Sequence, residues 1–209
     1  DGDGDLDLFI GESYGNTFFF RNTAAPGAYH PAFEREGEDE PFGIPDVGWD
    51  TKASPAFVDI DSDGDVDLFI GNSKGNTFFF RNTAAHGVTT PAYSQQEGTT
   101  PFGITDVGYE ASLSFADIDD DGDFDLFIGE YWGKTFFFRN TGTGNAPAYI
   151  QQEGDRPFGI PNDHWTPKPA FADIDDDGDL DLFIGEGYGK TFFFRNTAAT
   201  PVAPVSATT

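Results

Sequence analysis

Runs of three or four apolar residues alternate with loops of Asp, Gly, Asn and Pro, and the alternation recurs about every 58 residues. DGDLDLFIGE begins at Asp3, DGDVDLFIGN at Asp63, DGDFDLFIGE at Asp121 and DGDLDLFIGE at Asp177. Each is followed by an FFFRNT string, starting NT at Asn16 and Asn76 and KT at Lys134 and Lys190. PFGI recurs at Pro41, Pro101 and Pro157, and an AF(V/A)DI-type run precedes the second, third and fourth acidic strings. One unit predicts four short strands: a (PAFVDI), b (DLFIG), c (TFFFRN) and d (the PAYSQQEG region). Phe, Ile and Tyr enrichment bounded by turn residues favours strands, and no stretch carries a capped helical period. The fold class is therefore all-β, built from tandem four-stranded antiparallel blades.

Strands b and c do not alternate. Leu68, Phe69 and Ile70 are consecutive apolar residues, as are Phe78, Phe79 and Phe80. Neighbouring strand residues point to opposite faces, so both faces of each sheet are expected to be buried. A propeller or a stacked array of small sheets satisfies this, whereas a sandwich leaves one face wet. Residues 1–197 form one repeat domain of about three and a half to four blades, and 198–209 form a Thr/Pro/Val-rich tail or a completing strand. The first unit lacks strand a, and an incomplete sheet exposes an edge open to pairing. The architectures compatible with this are a ring shared by two chains, four blades closing alone, or an open array joined into a fibre. The chain opens without Met and without a signal peptide, so a processed or excerpted chain is expected.

Composition sharpens the reading. The 209 residues carry 37 acids against 11 Lys and Arg, for a net charge of -26, and contain no Cys. Thiol chemistry is excluded, and a phosphate-steered nucleic-acid binder is disfavoured at this charge. No apolar run approaches the roughly 20 residues of a membrane helix, so membrane insertion is not expected. The excess charge is concentrated: 21 acids lie in the four repeat loops, and the remaining 16 nearly balance the bases.

The loops place acids at alternate positions. They are Asp59, Asp61, Asp63, Asp65 and Asp67; Asp117, Asp119, Asp121, Asp123 and Asp125; and Asp173, Asp175, Asp177, Asp179 and Asp181. The first unit retains Asp1, Asp3, Asp5 and Asp7. Gly64 occupies the sixth loop position, and the seventh offers its backbone carbonyl. Two such charges about 4 Å apart repel by roughly 4 kcal/mol at an effective dielectric of 20, so a compact loop calls for a cation. Hard oxygen ligands on a flexible loop suit Ca²⁺ better than Mg²⁺. Three complete calcium loops and a fourth, incomplete one are expected. Position 12 is Ile70, Ile128 or Ile184 rather than a bidentate Glu, so the loop is not an EF-hand.

Other recurring residues are weaker candidates. Arg21, Arg81, Arg139 and Arg195 end strand c and are expected to pair with acids of the same or the next blade. Tyr14, Trp132 and Tyr188 share a register in the b–c turn, and Trp49, Tyr109 and Trp165 share another before strand a. These six are candidate carbohydrate contacts, with Glu12, Glu130 and Glu186 as hydroxyl acceptors. Thr89, Thr90, Thr99, Thr100 and Thr200 lie in Thr/Pro stretches that suit O-glycosylation. His30, His86 and His164 occupy unmatched places, so no catalytic His is assigned.

The D-x-D-x-D-G-x-x-D loop, the DLFIG strand and the G-x-TFFFRNT strand resemble the FG-GAP/VCBS repeat family. The resemblance covers nearly the whole chain up to about Ala198. It implies β-propeller blades with Ca²⁺-binding loops, as in integrin α-subunit heads, and assigns the loop acids above as ligands. It further implies an extracellular or cell-surface location and a role in adhesion, carbohydrate recognition or surface structure. Together these give a non-enzymatic, calcium-stabilised structural or adhesive repeat protein. Its expected partners are other copies of itself, neighbouring repeats of a longer chain, or glycans. A lectin-like propeller is the alternative, and an enzyme is disfavoured.

Overall fold

The computed structural model describes residues 5–25, 27–37, 40–48, 51–85, 88, 90–96, 98–152 and 156–197. Asp1, Asp3, Trp49, His86, Thr89, Thr200 and the segment 198–209 lie outside the described residues.

The described residues form fourteen strands in four antiparallel sheets. The first sheet has β1 (Leu8–Gly11), β2 (Thr17–Asn22) and β3 (Phe33–Glu36) in that order. The second has β4 (Ser54–Val58), β5 (Asp67–Gly71), β6 (Thr77–Asn82) and β7 (Tyr93–Gln95). The third has β8 (Ser112–Ala116), β9 (Asp125–Gly129), β10 (Thr135–Asn140) and β11 (Tyr149–Gln151). The fourth has β12 (Lys168–Ala172), β13 (Asp181–Gly185) and β14 (Thr191–Phe194). The a-b-c-d order expected from sequence is the observed one. Strand a ends before its Asp-Ile pair, because Asp59 leaves the ladder to open the acidic loop. A single 3-10 turn (Pro41–Gly43, Pro101–Gly103, Pro157–Gly159) links each sheet to the next.

The consecutive apolar residues have a direct cause. Phe69 and Phe79 sit opposite each other across β5 and β6, with ring centroids 4.8 Å apart. On this face they meet Phe115 of β8 and the turn residue Phe102, each at 4.8 Å from one of them. The other face of the same sheet carries Leu68, Ile70 and Phe80, which pack on Ile44, Phe9 and Phe42. The same arrangement recurs with Phe127, Phe137, Phe158 and Phe171. Each sheet thus presents a Phe/Phe face forward and a Leu/Ile/Phe face backward, and burying one such Phe is worth about 1.5–3 kcal/mol. Strand a of each blade lies against its neighbours: β4 packs on β1 and β8, and β8 on β12.

Burial of both faces, expected for every sheet, holds for the two central ones and fails at the ends. Leu68 and Ile70 are fully buried, whereas their counterparts Leu8 and Ile10 are 37% and 42% exposed. At the other end Phe193 is 45% exposed, against 2% for Phe79. A face is buried only when another sheet covers it, and the two outer faces have none among the described residues.

Gly at the end of strand b permits the close approach of successive blades. A Cβ on Gly71 would lie 2.2 Å from the Ala111 carbonyl oxygen, and one on Gly129 would lie 1.9 Å from that of Pro167. At Gly185 nothing is met within 4 Å. Gly129→Ala is therefore expected to cost about 3 kcal/mol or more through forced separation of two backbones. Gly185→Ala should be neutral or stabilising by up to about 1 kcal/mol, because it restricts the unfolded chain. Urea unfolding midpoints of the two variants check this contrast.

Candidate metal centres

The three complete acidic loops join β4 to β5, β8 to β9 and β12 to β13. Asp59 organises the first of them. Its Oδ1 accepts from the Asp63 N–H at 3.1 Å and its Oδ2 from the Gly64 N–H at 3.1 Å. Asp63 Oδ1 then accepts from the Asp65 N–H at 3.0 Å. Asp117 and Asp121, and Asp173 and Asp177, repeat the pattern within 0.1 Å. Gly64 has a φ of 93°, left-handed backbone that favours glycine. Ser62, Asp120 and Asp176 are also left-handed, at 57°, 56° and 59°. This winding brings together one carboxylate oxygen each from Asp59, Asp61 and Asp63, all within 4.8 Å of one another. Asp117, Asp119 and Asp121 form a second such group, and Asp173, Asp175 and Asp177 a third.

Asp67, Asp125 and Asp181 begin strand b and are each 2% exposed. One oxygen of each accepts the N–H of an Asn at or just beyond the end of strand c: Asn82, Asn140 and Asn196, at 2.7 Å. Asp7 accepts from Asn22 in the same way at 2.8 Å. The second oxygen of Asp67, Asp125 and Asp181 is buried without a hydrogen-bond partner. A buried carboxylate oxygen without a donor is costly, and a hard cation is the partner its chemistry suits. Burial pushes the Asp67 carboxyl up to about 7, the Asn82 N–H opposes this, and the Asp63, Asp59 and Asp65 charges add to it. Asp125 is pushed up to about 6, again chiefly by burial. The donor set fits a hard divalent ion: a three-carboxylate group on an Asp/Gly turn, followed by a buried carboxylate whose second oxygen lacks a donor. Asp65, Asp123 and Asp179, expected among the ligands, stand outside the three-carboxylate groups.

Three of the four recurring Arg residues bond the acid at the third loop position of their own blade. Arg81 bonds Asp61, Arg139 bonds Asp119 and Arg195 bonds Asp175, and Arg139 also lies 3.8 Å from Asp121. Arg21 bonds Glu36 on the neighbouring strand at 2.5 Å. A residue the sequence pattern did not single out buttresses the loop from strand d. The Tyr93 hydroxyl donates to the Val66 carbonyl at 3.2 Å, and Tyr149 donates to that of Phe124 at 2.7 Å. The signal was present as a Tyr two residues after Pro in both units, but contact across the sheet is not visible in a linear chain.

Among the described residues, aromatic candidates gather at the junction of the third and fourth sheets. Trp132 lies 5.6 Å from Trp165, Tyr131 packs on both at 5.0 and 4.6 Å, and Tyr188 is 6.4 Å from Trp165. Tyr131 was not among the residues expected. Tyr14 and Tyr109 are exposed. Two of the glutamates named as hydroxyl acceptors, Glu12 and Glu130, bond the b–c turn. Glu12 accepts from Asn16 Nδ2 at 2.8 Å, Glu130 accepts from the Lys134 N–H at 3.2 Å, and Asn72 takes this place in the second blade. His164 is buried against Phe192 at 4.1 Å. Thr90, Thr99 and Thr100 are exposed.

The profile of the FG-GAP-like repeat matches three overlapping segments, residues 1–70, 59–128 and 117–184, each running from one acidic loop through the next strand b. No curated protein matches the chain.

The raised Asp67 value gives a signed expectation for the protein held in chelator. The folded state binds this proton more tightly than the unfolded chain. The contribution is therefore complete below the ordinary carboxylate range, about 4, and is lost as pH rises through about 7. Melting temperatures from pH 4 to 8 should fall less steeply in Asp67→Asn than in the parent protein. Equal slopes would show that the burial of Asp67 carries no protonation cost.

Proposed function

The chain belongs to the FG-GAP-like repeat family, and from that premise we propose that it is an extracellular, calcium-stabilised structural or adhesive repeat protein that joins its neighbours end to end. The observation that carries the calcium reading is the buried, unpartnered oxygen of Asp67, Asp125 and Asp181, each in a loop that also holds a three-carboxylate group. Asp1, Asp3, Asp5 and Asp7 supply the incomplete fourth loop. Calcium in all four loops would take the net charge from -26 to -18 and remove the repulsion that opposes each turn. Pinning strand a to strand b fixes the Phe of strand a against the preceding blade, so the ion acts on the stack as well as on its own turn.

The near-identical loops support a structural role for the ions over a catalytic one, since catalysis needs a distinct acid, base or nucleophile beside the metal. Extracellular location is supported by the family and by the high calcium such loops require. Among the described residues no helix is long and apolar enough to cross a membrane. The half-exposed outer faces of the first and last sheets support joining to further copies or repeats.

Adding 1–5 mM Ca²⁺, the range of extracellular calcium modules, is expected to raise the melting temperature by about 10 °C or more, reversed by EDTA. Two sites loaded well above their Kd contribute on the order of 5 kcal/mol. Identical melting in calcium and in chelator would refute the calcium reading. Electron microscopy of the calcium-loaded protein tests the joining separately.

The cluster of Tyr131, Trp132, Trp165 and Tyr188 favours a second reading, a carbohydrate-binding module, because exposed aromatic rings are platforms for sugar rings. A glycan array should then show binding that Trp132→Ala abolishes, and an array without signal removes this reading.

A further inference from the structure

The fourth sheet contains a slot that the second and third sheets fill. In the third sheet Tyr149 is 4% exposed and belongs to the core formed by Phe69, Ile104, Leu126 and Phe138, with Phe102 and Phe115 packed against it. The corresponding residues around the fourth sheet are Phe127, Ile160, Leu182, Phe194, Phe158 and Phe171, and these six line an open cavity of about 250 Å³. In the second sheet Tyr93 fills the same place, within the core of Ile44, Leu68 and Phe80.

Three further observations agree on what is missing. First, the linking turn of each blade approaches its strand d. A Cβ on Gly43 would lie 3.2 Å from the Tyr93 carbonyl oxygen, and one on Gly103 would lie 2.7 Å from that of Tyr149, whereas Gly159 meets nothing within 4 Å. Second, Phe158 in that turn is 68% exposed, whereas Phe42 and Phe102 are half-buried. Third, β6 pairs with β7 and β10 with β11, while β14 is the edge of its sheet among the described residues.

We propose that this slot binds an extended peptide segment from outside these 209 residues, adding a fourth strand beside β14 and seating a Tyr side chain in the cavity. The Tyr ring would pack on Phe171, as Tyr93 and Tyr149 lie 6.3 and 6.5 Å from Phe57 and Phe115. Its hydroxyl would donate to the Leu180 carbonyl, the counterpart of the Val66 and Phe124 carbonyls that Tyr93 and Tyr149 reach. Residues 198–209 consist only of Ala, Thr, Pro, Val and Ser. No side chain there has an aromatic ring to fill the cavity or the length to carry a hydroxyl to Leu180. Strand addition to an open edge supplies main-chain hydrogen bonds, and the side-chain pocket supplies selectivity.

The inference deepens the end-to-end reading above, since it names one contact through which a neighbour attaches, and it is independent of calcium. The probe is a synthetic peptide with the sequence of Ala146–Gln152, titrated into the full chain by fluorescence anisotropy, with folding verified by circular dichroism. Saturable binding is expected. Replacing Tyr by Ala in the peptide should weaken it by about tenfold or more, given the aromatic area buried. Replacing Tyr by Phe should weaken it less. Phe158→Ser, with folding of the variant verified by circular dichroism, should weaken binding, and Tyr29→Ser, at the far end of the chain, should not. No saturable binding by the folded chain, or binding indifferent to both the peptide Tyr and Phe158, overturns the proposal. A chain that binds the peptide but sediments as a monomer at every concentration supports the slot and retires end-to-end assembly.

Discussion

No sheet in this protein can bury its own faces, and everything else in the structure depends on how neighbouring sheets meet that need. A three- or four-stranded sheet with strands of three to six residues has almost no interior. Its Phe/Phe face becomes core only when strand a and the linking turn of the next blade cover it. The pairs Phe9–Phe57, Phe69–Phe115 and Phe127–Phe171, at 4.7, 4.8 and 4.7 Å, are this contact made three times. Stability is therefore a sum over junctions, and the outermost junctions are half built. The linking turn has its own cost: Phe42, Phe102 and Phe158 are held in left-handed backbone at 54°, 54° and 52°. At all three turns the ring packs against strand c, at 4.7, 4.8 and 4.9 Å, which offsets that cost.

The acidic loops belong to the same arrangement. Each spans strands a and b, so its conformation sets where strand a meets the preceding blade. Asp67 is drawn into the sheet by the Asn82 N–H, which leaves its second oxygen buried. Arg81, Arg139 and Arg195 neutralise the third loop position from the end of strand c, and Tyr93 and Tyr149 support the eighth from strand d. All four strands of a complete blade thus contribute to one loop. The exposed ion pairs add little by themselves, about 0–1 kcal/mol each, and their effect lies in where they hold the carboxylate.

The repeat made much of this legible in advance. Strand order, the all-β class, the position of each acidic loop and the burial of both faces of the central sheets follow from consecutive apolar residues recurring in register. The pairing of Arg81 with the acid twenty residues earlier in its own blade, rather than with one of the next blade, depends on sheet geometry, which sets a side chain's reach. The aromatic loop residues are equivalent by register, yet the cluster of Trp132, Trp165 and Tyr188 also takes in Tyr131, which the register does not mark. Lys74 replaces the aromatic in the second blade, and Tyr14 stays exposed. Glu12 and Glu130 bond their own turn, a local competition that a count of acceptors does not reveal.

The sequence alone determined which segments form strands and which loops concentrate negative charge, because both are set by periodicity and short-range spacing. Only the tertiary structure decided which carboxylate oxygen is buried without a donor, which Gly lies against a neighbouring backbone, and where a Tyr-sized space is open. These are consequences of distances between segments about 25 to 60 residues apart. Such distances are fixed by sheet stacking, and two units with the same local sequence differ in them according to what stands beside each one.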